Sequence, residues 1–553
     1  TDLRSALDQL RSAASSDAGS GTTVAMVISD FTRGSADLSS PLAPMLADVP
    51  NIRIVATAPI TAMPGNVQIT GVDPLRSVVL AGSDDETSPD EQQQVRISLS
   101  RNGPFVQESQ VTTVRLRVAS ARDADDASAV AAGLGSTTTV SWRPGQEQAI
   151  ASVQINAATI RAAIDASAGS SAVLIAEIDR DALEADNIFR RPVALRDALR
   201  VGIVAQRRFG RGPTVDQLEP ADWFRIALEP QIGVPIETID MNPTALDEPL
   251  LSQLDAAILS QPHLVTDEGW AVLASFVNAG GLLLITPPSE DMVNLWTDQL
   301  GSVFGLDWRL SREVTLRESE PMQLIGDDAS SILVSLISAE LPRLARNITV
   351  TRALGFEEVP EGADRILDVR DPQTGSTIPW LVAQRPQRDE MSSAADRGLI
   401  IFMASPPDAR STNLPLMPLM VPLTQELIRQ GVGRASGATS VMAGNAPPAP
   451  SGTARLVSSG ESISAAGIAV GPAGITERAI RTAGTYLAFD DVDRERGVIA
   501  INTDTRGSDL TVQQPEAVEA WLADVTAGAG QAPLAWVQPD QVGAALQSAD
   551  EGS

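Results

Sequence analysis

The chain has 553 residues and a mass of 58.1 kDa, which is too long for one hydrophobic core and predicts three or four domains. Its 70 acidic residues against 41 basic ones give a formal net charge of -29, and every basic residue is arginine. Such a surface repels nucleic acid and anionic lipid, which argues against both as direct partners. Adaptation to salt, or a GC-rich genome, would explain the same composition.

Two residue types that carry much enzyme chemistry are nearly missing. The chain has no cysteine and one histidine, His263. Disulfides and thiolate metal sites are therefore excluded. A histidine-based zinc site is excluded as well, because carboxylates alone would have to complete the tetrahedron.

The sequence also has no run near the ~18 consecutive apolar residues of a membrane-spanning helix. The strongest candidate, Leu414–Leu423 (LPLMPLMVPL), is ten residues long and carries three prolines. We therefore expect the printed chain itself to be soluble.

Residues 1–62 have an α/β pattern. An apolar stripe in the first residues predicts a helix, and two apolar runs, Thr22–Ser29 and Ile52–Ala56, have the length of buried strands. We expect a fragment of a longer parent, since the chain begins at Thr1 and its first residues already have the pattern of a domain interior.

The phrase VISDF (Val27–Phe31), with the start Thr1-Asp2-Leu3, resembles the C-terminal half of a von Willebrand factor A domain. Such domains bind a divalent metal through an Asp-x-Ser-x-Ser loop, a threonine and an aspartate. The resemblance matches Thr1 to the threonine and Asp30 to the aspartate, and the loop would lie upstream. Two side chains cannot complete an octahedral site, so the resemblance implies Mg²⁺ or Ca²⁺ only in the longer parent. Alternatively, Asp30 ends a strand and caps the residues after it.

Residues 63–195 change to short segments in which apolar and polar residues alternate. They lie at Val95–Ser100, Val111–Val118, Thr137–Trp142, Gln148–Ile155 and Ala172–Ile178. With turn residues between them, these segments predict a β-sandwich of the immunoglobulin-like type. The acidic stretch Ser83–Glu91 lacks EF-hand spacing and predicts a solvated hairpin loop rather than a calcium site.

Residues 196–435 predict a parallel α/β domain of flavodoxin type. In Leu254–Pro287, a short apolar strand is followed by Thr266 as helix N-cap, a helix with one apolar face, a glycine pair and a second apolar strand. Such a unit indicates a parallel sheet covered on both faces. Val201–Ala205 and Leu399–Ala404 would belong to the same sheet.

The Leu254–Pro287 block resembles part of a class I glutamine-amidotransferase-like domain. That chemistry requires a thiolate nucleophile with a histidine base, and the chain has no cysteine. The resemblance therefore implies an inactive domain.

The best candidate anion site is Gln206–Gly212 (QRRFGRG), which follows the first strand of this domain. It would place Arg207, Arg208 and Arg211 at the carboxyl edge of the sheet, where open α/β folds bind ligands. Val215 stands where a dinucleotide fingerprint needs glycine, and the chain has no lysine for a P-loop. The alternative is a solvated arginine loop.

His263 also follows a strand, so it belongs at the same edge, where it could act as a general base. No Gly-x-Ser-x-Gly elbow occurs in the chain to supply a nucleophile. A capping or surface role for His263 is the alternative.

The remaining residues predict smaller elements. Met417–Arg429 predicts a helix that closes the α/β domain. Residues 436–453 are rich in Ala, Gly, Ser and Pro and predict a linker. Residues 454–514 predict a small β-module, and residues 515–553 predict a helix, Pro515–Val525, followed by a fraying tail. The expected fold class is therefore multidomain, with α/β and all-β parts.

Taken in order, these modules resemble the BatA-like, von Willebrand factor A-containing membrane proteins of planctomycete-type bacteria. The phrases that carry the resemblance are VISDF, the Leu254–Pro287 block, LPLMPLMVPL, GTYLAFDD (Gly484–Asp491) and VIAINTDTRGSDL (Val498–Leu510). In that family, membrane helices flank a von Willebrand domain, an immunoglobulin-like or CARDB-like domain and an inactive amidotransferase-like domain, so the resemblance implies an immunoglobulin-like or CARDB-like sandwich for residues 63–195. A MoxR-type ATPase often accompanies the protein. The resemblance implies a membrane-anchored bacterial parent whose soluble part is extracytoplasmic (periplasmic).

We therefore expect a non-enzymatic scaffold or protein-interaction region with no cofactor in this chain. The alternative is a small-molecule or anion sensor, or a hydrolase, that uses the crevice near the three arginines and His263. A serine or carboxylate beside His263 would favour the hydrolase.

Overall fold

The computed structural model describes most of the chain, with gaps between the described stretches. The described residues are 23–39, 52–57, 64–74, 78–80, 92–126, 135–165, 171–196, 198–206, 214–229, 236–289, 296–326, 331–358, 362–386, 398–435, 440–450, 452–462, 464–472, 474–526, 535–537 and 541. Within them the chain has a multidomain, mixed α/β fold with many β-sheets and few helices.

The first two described strands, β1 (Thr23–Val27) and β2 (Ile52–Thr57), pair in parallel with Thr23 opposite Ile52. They confirm the two strands expected from their apolar runs. Because parallel strands end at the same edge, the residues after Val27 lie beside Thr57. Thr1 and the expected N-terminal helix lie outside the described residues.

The next eight strands form two sheets that face each other across one core. They are β3 (Asn66–Pro74), β4 (Val78–Leu80), β5 (Gln92–Asn102), β6 (Gln110–Ser120), β7 (Gly135–Trp142), β8 (Gln148–Asn156), β9 (Ser171–Ile178) and β10 (Ile188–Arg196), with helix α1 (Ala157–Asp165) after β8. The sheet orders are β4-β10-β9-β6-β7 and β3-β5-β8. Alternate side chains of both sheets, such as Ile97 and Leu116, are buried in the common core.

All five strands expected in this region are confirmed, and β3, β4 and β10 are additional. Strand β4 contributes to two cores, because Val79 packs in the sandwich while Val78 and Leu80 pack with the next unit. The acidic stretch Ser83–Glu91 lies outside the described residues, so its solvated loop stays a prediction.

Among the described residues, thirteen strands and six helices form the largest unit. The strands are β11 (Leu199–Val204), β12 (Ile236–Met241), β13 (Ala256–Leu259), β14 (Leu282–Ile285), β15 (Arg309–Leu310), β16 (Thr315–Leu316), β17 (Met322–Ile325), β18 (Thr349–Val350), β19 (Arg352–Ala353), β20 (Phe356–Glu358), β21 (Asp364–Arg370), β22 (Thr377–Gln384) and β23 (Leu399–Met403). The helices are α2 (Pro220–Leu228), α3 (Glu248–Leu251), α4 (Asp267–Asn278), α5 (Thr297–Phe304), α6 (Leu341–Ala345) and α7 (Met420–Ala435).

Nine of these strands form one sheet in the order β12-β11-β13-β14-β23-β22-β21-β17-β18. The strands from β12 to β23 in this order are mutually parallel, whereas β22, β21, β17 and β18 are added in antiparallel pairing. The expected parallel sheet is therefore present, but an antiparallel half that the sequence did not predict extends it. The short strands β15 and β16 pair separately with β20 and β19.

The Leu254–Pro287 block folds as expected. The Thr266 side chain accepts a hydrogen bond from the Gly269 backbone N–H (3.1 Å), which caps α4. Trp270 and Leu273 lie on the buried face of α4, and Gly280 has a φ of +107°, which lets the chain turn into β14.

The small C-terminal module consists of β24 (Ser440–Met442), β25 (Arg455–Ser458), β26 (Ile468–Ala469), β27 (Gly484–Phe489) and β28 (Glu495–Asn502). Its sheet order is β24-β28-β27-β25-β26. Strand β24 lies within the segment predicted as a linker and pairs in parallel with β28. Strand β27 is buried on both faces: Leu487 and Phe489 pack against the sandwich, and Tyr486 packs in the module's own core.

The C-terminal helix α8 (Pro515–Thr526) is present as expected. After it, β29 (Ala535–Val537) pairs in parallel with β2, so that Val537 lies opposite Thr57. The region predicted to fray therefore supplies the third strand of the sheet β1-β2-β29. No helix in the described ranges combines the length and hydropathy needed to span a bilayer.

Candidate functional site

The carboxyl ends of the parallel strands in the largest unit form the first candidate edge. The order β12-β11-β13 changes direction at β11, so its crevice lies between the ends of β11 and β13. Gln261 bridges these ends: its Oε1 accepts a hydrogen bond from the Gln206 backbone N–H (2.8 Å), and its Nε2 donates to Glu219 (3.5 Å). An amide side chain of the protein thus spans the position where a ligand would be expected.

A second polar cluster joins the ends of β14 and β23. Ser289 Oγ donates to Asp408 Oδ2 (2.6 Å), and Arg352 donates to the Ser289 carbonyl. The other Asp408 oxygen accepts the backbone N–H groups of Arg410 (3.0 Å) and Ser411 (2.9 Å). Because Asp408 is only 3% exposed and both its oxygens are bonded, this cluster holds two loops together.

The other residues predicted at this edge are only partly described. His263 lies half-buried in a 3₁₀ turn, Pro262–Leu264, directly after β13, as expected. Arg207, Arg208 and Arg211 lie outside the described residues, so the anion site stays a prediction.

The second candidate edge lies at the ends of β1 and β2, around Asp30. Asp30 Oδ1 accepts hydrogen bonds from the Ser35 hydroxyl (2.6 Å) and from the backbone N–H and hydroxyl of Thr32 (both 3.3 Å). The hydroxyl of Thr57, at the end of β2, accepts from the Ser29 backbone N–H (3.0 Å) and donates to the Ser29 carbonyl (2.8 Å). One carboxylate and several hydroxyl groups are therefore held together at this edge.

The chain reaches this arrangement through an unusual backbone turn. Phe31 has a φ of +52° and is 1% exposed. A bulky residue in the left-handed region costs about 1 kcal/mol or more. The Ser29 hydroxyl accepts the Phe31 N–H (3.1 Å), and Gln513 donates to the Phe31 carbonyl (3.2 Å), so neighbouring groups on both sides hold the turn.

The donor set at Asp30 fits a hard divalent cation only in part. Carboxylate and hydroxyl oxygens are the ligands that Mg²⁺ and Ca²⁺ prefer, and Asp30 Oδ2 accepts no hydrogen bond from the described residues. In the described part of the chain, no group of three or more His, Cys, Asp or Glu residues could hold a metal. A cation at Asp30 would need hydroxyl groups, water or further ligands, and Thr1 lies outside the described residues.

Sequence reasoning identified Asp30 but missed Ser35 and Thr57. Thr57 reaches the site through the register of β1 with β2, and Ser35 through a turn at Thr32. Neither follows from local sequence pattern. The hydroxyl-rich composition of Ser29–Ser35 was the one available signal.

No protein-family model and no curated protein sequence matches the chain. Among solved structures, it is similar to the CARDB domain of a Pyrococcus furiosus protein in complex with di-metal ions, at 13% identity over 25% of this chain and 93% of that chain, with a TM-score of 0.17. It is also similar to a ThuA-like protein from Bacteroides uniformis, at 10% identity over 42% of this chain and 91% of that chain, with a TM-score of 0.28.

A third similarity is to an exo-β-1,4-mannosidase from an Opitutaceae bacterium, at 12% identity over 43% of this chain and 35% of that chain, with a TM-score of 0.23. All three TM-scores are below 0.5, so these similarities identify neither a shared fold nor a function for this chain.

Proposed function

We propose that this chain is a non-enzymatic protein-interaction region, the extracytoplasmic (periplasmic) part of a membrane-anchored bacterial protein of the BatA-like type. In this proposal the sheet β1-β2-β29 belongs to a von Willebrand factor A-like domain, the β3–β10 sandwich is immunoglobulin-like, and the largest unit is an inactive amidotransferase-like domain. The contact surface is the edge at Asp30, and in the longer parent, which would supply the remaining ligands, Mg²⁺ or Ca²⁺ strengthens the contact.

The observation that carries the proposal is the combination of Asp30 and Ile28 at one sheet edge. Asp30 has a carboxylate oxygen with no hydrogen bond from the described residues, and Ile28, two positions earlier, is 70% exposed. A cation held by Asp30 would bind an acidic group of a partner, while Ile28 would contribute apolar contact. Both groups are typical of an adhesive surface.

The state of the other edge favours a function without catalysis. Gln261 bridges the crevice between β11 and β13, and both oxygens of Asp408 are bonded within the protein. The chain also has no cysteine for amidotransferase chemistry. These features favour a domain that contributes a structural framework and protein contacts rather than catalysis.

The family resemblance supplies the partner to test first, a MoxR-type ATPase from the same bacterium. Its binding to a form extended upstream by about a hundred residues, which would add the remaining ligands, is measured by biolayer interferometry in Mg²⁺, in Ca²⁺ and in EDTA. We expect binding in either cation, loss of binding in EDTA and loss of the cation effect in Asp30→Asn. Ile28→Ser should weaken partner binding while calorimetric titration of the cation is unchanged, because Ile28 has no ligand atom.

Asp37→Asn is the matched control, since Asp37 is an exposed aspartate of the same segment whose Oδ1 accepts from Ser39 (3.0 Å). It should bind like the wild type. Binding that is equal in EDTA and Mg²⁺, or that survives in Asp30→Asn, would contradict the assignment of this edge. The same cation titration into the chain as printed tests whether the further ligands lie in the longer parent, since it should then show no binding at Asp30.

A further inference from the structure

A buried polar junction lies where the sandwich meets the segment that follows β28 of the C-terminal module. Asn66, the first residue of β3, donates from its Nδ2 to Asp186 Oδ2 (2.9 Å) and to the Ser508 carbonyl (3.3 Å). Asp186 ends the 3₁₀ turn Glu184–Asp186, and Ser508 ends the 3₁₀ turn Thr505–Ser508. All three residues are at most 1% exposed, and we call them the Asp186 cluster.

We propose that the Asp186 cluster binds one Ca²⁺ ion, with Asp186 as the charged ligand and Asn66 and Ser508 as neutral oxygen ligands. The ion would join the sandwich to the C-terminal segment. This inference goes beyond the proposed function and does not depend on it, because the cluster contains no residue of the Asp30 edge.

The cluster contains oxygen atoms that are closed to solvent and accept no well-formed hydrogen bond from the described residues. They are Asn66 Oδ1, Asp186 Oδ1 and the hydroxyl oxygen of Ser508, which lies beside the Asp186 carboxylate. Gln68 Oε1, two positions along β3, and Asn187 Oδ1, directly after Asp186, are in the same state. The Ser508 hydroxyl has one proton to donate, so it cannot serve all of these acceptors. Buried acceptors without a donor are costly, and a cation among them would remove this cost.

The position of Asn66 Oδ1 follows from the bonds of the same amide. Its Nδ2 faces two acceptors, so exchanging the nitrogen and the oxygen would place oxygen against oxygen. Because the oxygen and nitrogen of an amide are about 2.3 Å apart, Asn66 Oδ1 lies within roughly 5 Å of Asp186 Oδ2. Two ligands on opposite sides of Ca²⁺ are also roughly 5 Å apart, since each Ca–O distance is about 2.3–2.6 Å. The two side chains can therefore share one ion.

Asp186 also lacks the positive partner that two other buried aspartates have. Asp371 pairs with Arg317 (2.7 Å), and Asp490 pairs with Arg496 (2.7 Å). Among the described residues, no arginine forms an ion pair with Asp186. A buried carboxylate without a cation is costly, and a bound metal ion would supply the missing positive charge.

The types of ligand favour calcium. A carboxylate, an amide oxygen and a hydroxyl oxygen are hard ligands, and Ca²⁺ accepts a mixed and irregular set more readily than Mg²⁺, which requires a nearly octahedral shell. Asp181 places a second carboxylate next to the cluster, since its Oδ2 accepts the backbone N–H of Val67 (2.8 Å), the residue after Asn66. Asp181 is half-buried, so water can complete the roughly six to eight ligands of the ion from this side.

The ion would stabilise a contact between distant parts of the chain. The Ser508 carbonyl also accepts from Asn102 Nδ2 (2.8 Å), and Asn102 Oδ1 accepts the Leu510 backbone N–H (3.2 Å). The segment after β28 is thus already held against β3 and β5 by amide side chains. Calcium at Asp186 would add a charged contact to the same junction, so its binding should raise the stability of the folded chain.

The test is calorimetric titration of the full chain with CaCl₂ and, separately, with MgCl₂, together with urea unfolding in Ca²⁺ and in EDTA. Mg²⁺ controls for general attraction of divalent ions to an acidic surface. We expect saturable one-to-one binding of Ca²⁺, about tenfold or more tighter than that of Mg²⁺, and a higher urea midpoint in Ca²⁺ than in EDTA. Asp186→Asn should weaken calcium binding by about tenfold or more and should have the same midpoint in both buffers.

Asp179→Asn is the matched control, since Asp179 is an exposed sandwich aspartate paired with Arg115 (3.3 Å). It should bind calcium like the wild type. Ser508→Ala removes one neutral ligand, should weaken binding by a smaller factor and decides the matter if Asp186→Asn does not fold. The proposal is overturned by equal affinity for the two ions, by absence of saturable calcium binding, or by unchanged binding in Asp186→Asn and Ser508→Ala. Loss of calcium binding in Asp30→Asn, with binding kept in Asp186→Asn, would place the ion at the Asp30 edge and overturn it as well.

Discussion

Asn502 binds the backbone of Arg190 as a neighbouring strand would. Its Oδ1 accepts the Arg190 backbone N–H (2.7 Å), and its Nδ2 donates to the Arg190 carbonyl (2.9 Å). The Arg190 side chain in turn donates to Asp125 (2.7 Å), which also accepts the backbone N–H of Thr485 (2.6 Å). One amide side chain therefore joins β28 of the module to β10 of the sandwich.

Asn502→Asp should destabilise this junction. Asn502 is 1% exposed, and the change replaces a donor by a carboxylate oxygen facing the Arg190 carbonyl. We expect a loss of about 2–4 kcal/mol in the free energy of unfolding, measured as a lower midpoint in urea. Asn445→Asp makes the same change at an exposed position of the module and should leave the midpoint within error. Equal midpoints for both variants would contradict the role of Asn502.

Asp186 should make stability depend on pH. It is 1% exposed, and burial raises its pKa to about 6, although a hydrogen bond from Asn66 (2.9 Å) opposes the shift. Between about pH 4 and 6 the folded chain keeps this proton while the unfolded chain releases it, so stability falls as pH rises. Asp186→Asn should remove this slope and stabilise the protein at pH 7 by roughly 2 kcal/mol, allowing for partial solvent screening.

The measurement is urea unfolding at about pH 4, 5, 6 and 7, which spans the range between the unfolded and the folded pKa of Asp186. Asp179→Asn is the control, because Asp179 is an exposed sandwich carboxylate paired with Arg115. If the free energy of unfolding changed with pH in the same way for the wild type and Asp186→Asn across the whole range, the prediction would be refuted.

Arg317 and Asp371 should show the opposite pH dependence. Arg317 donates to both Asp371 oxygens, with its shortest contact at 2.7 Å, and this lowers the pKa of Asp371 to about 2. The stabilisation is present above about pH 4 and is lost as pH falls toward 2. Arg317→Gln should therefore be less stable than the wild type at pH 7, with the difference shrinking in acid. Arg343→Gln, which breaks an exposed pair with Glu340, should have little effect at either pH.

Alanine substitutions at Gly398 and Gly375 distinguish the cost of a steric clash from the cost of backbone strain. Both have positive φ, +76° and +70°, but a Cβ on Gly398 would lie 2.2 Å from the Val277 carbonyl oxygen, whereas a Cβ on Gly375 meets nothing within 4 Å. Both alanine variants pay about 1 kcal/mol for the left-handed backbone. Gly398→Ala should lose at least about 2 kcal/mol more, because the ends of α4 and β23 must move apart. Similar melting temperatures for the two variants would show that the backbone adjusts freely.

The sequence predicted those elements that carry their own periodicity. The Leu254–Pro287 block has apolar strands, an N-cap threonine and a glycine exit in the correct order, and each signal acts within a few residues. Strands β6 and β8 likewise alternate because one face is buried and the other is more exposed. Where local preference and tertiary burial agree, pattern reading finds the element.

Elements that depend on distant partners were not predicted. Strands β24 and β29 have three residues each, too few for a period, and they are strands only because β28 and β2 offer free edges. The same holds for the sites. Asp30 was identified from the local sequence VISDF, whereas Thr57 lies beside it only because of the register between β1 and β2.

The pairing of β2 with β29 has a consequence for synthesis in the cell. At roughly 5–20 residues per second, a ribosome needs on the order of a minute to pass from the codon for Thr57 to the codon for Val537. During that time the sandwich and the α/β unit can fold as they emerge, while β2 waits with an unpaired edge. Nascent chains would therefore need protection of this edge, and translation stalled before β29 would leave a product prone to edge-to-edge aggregation.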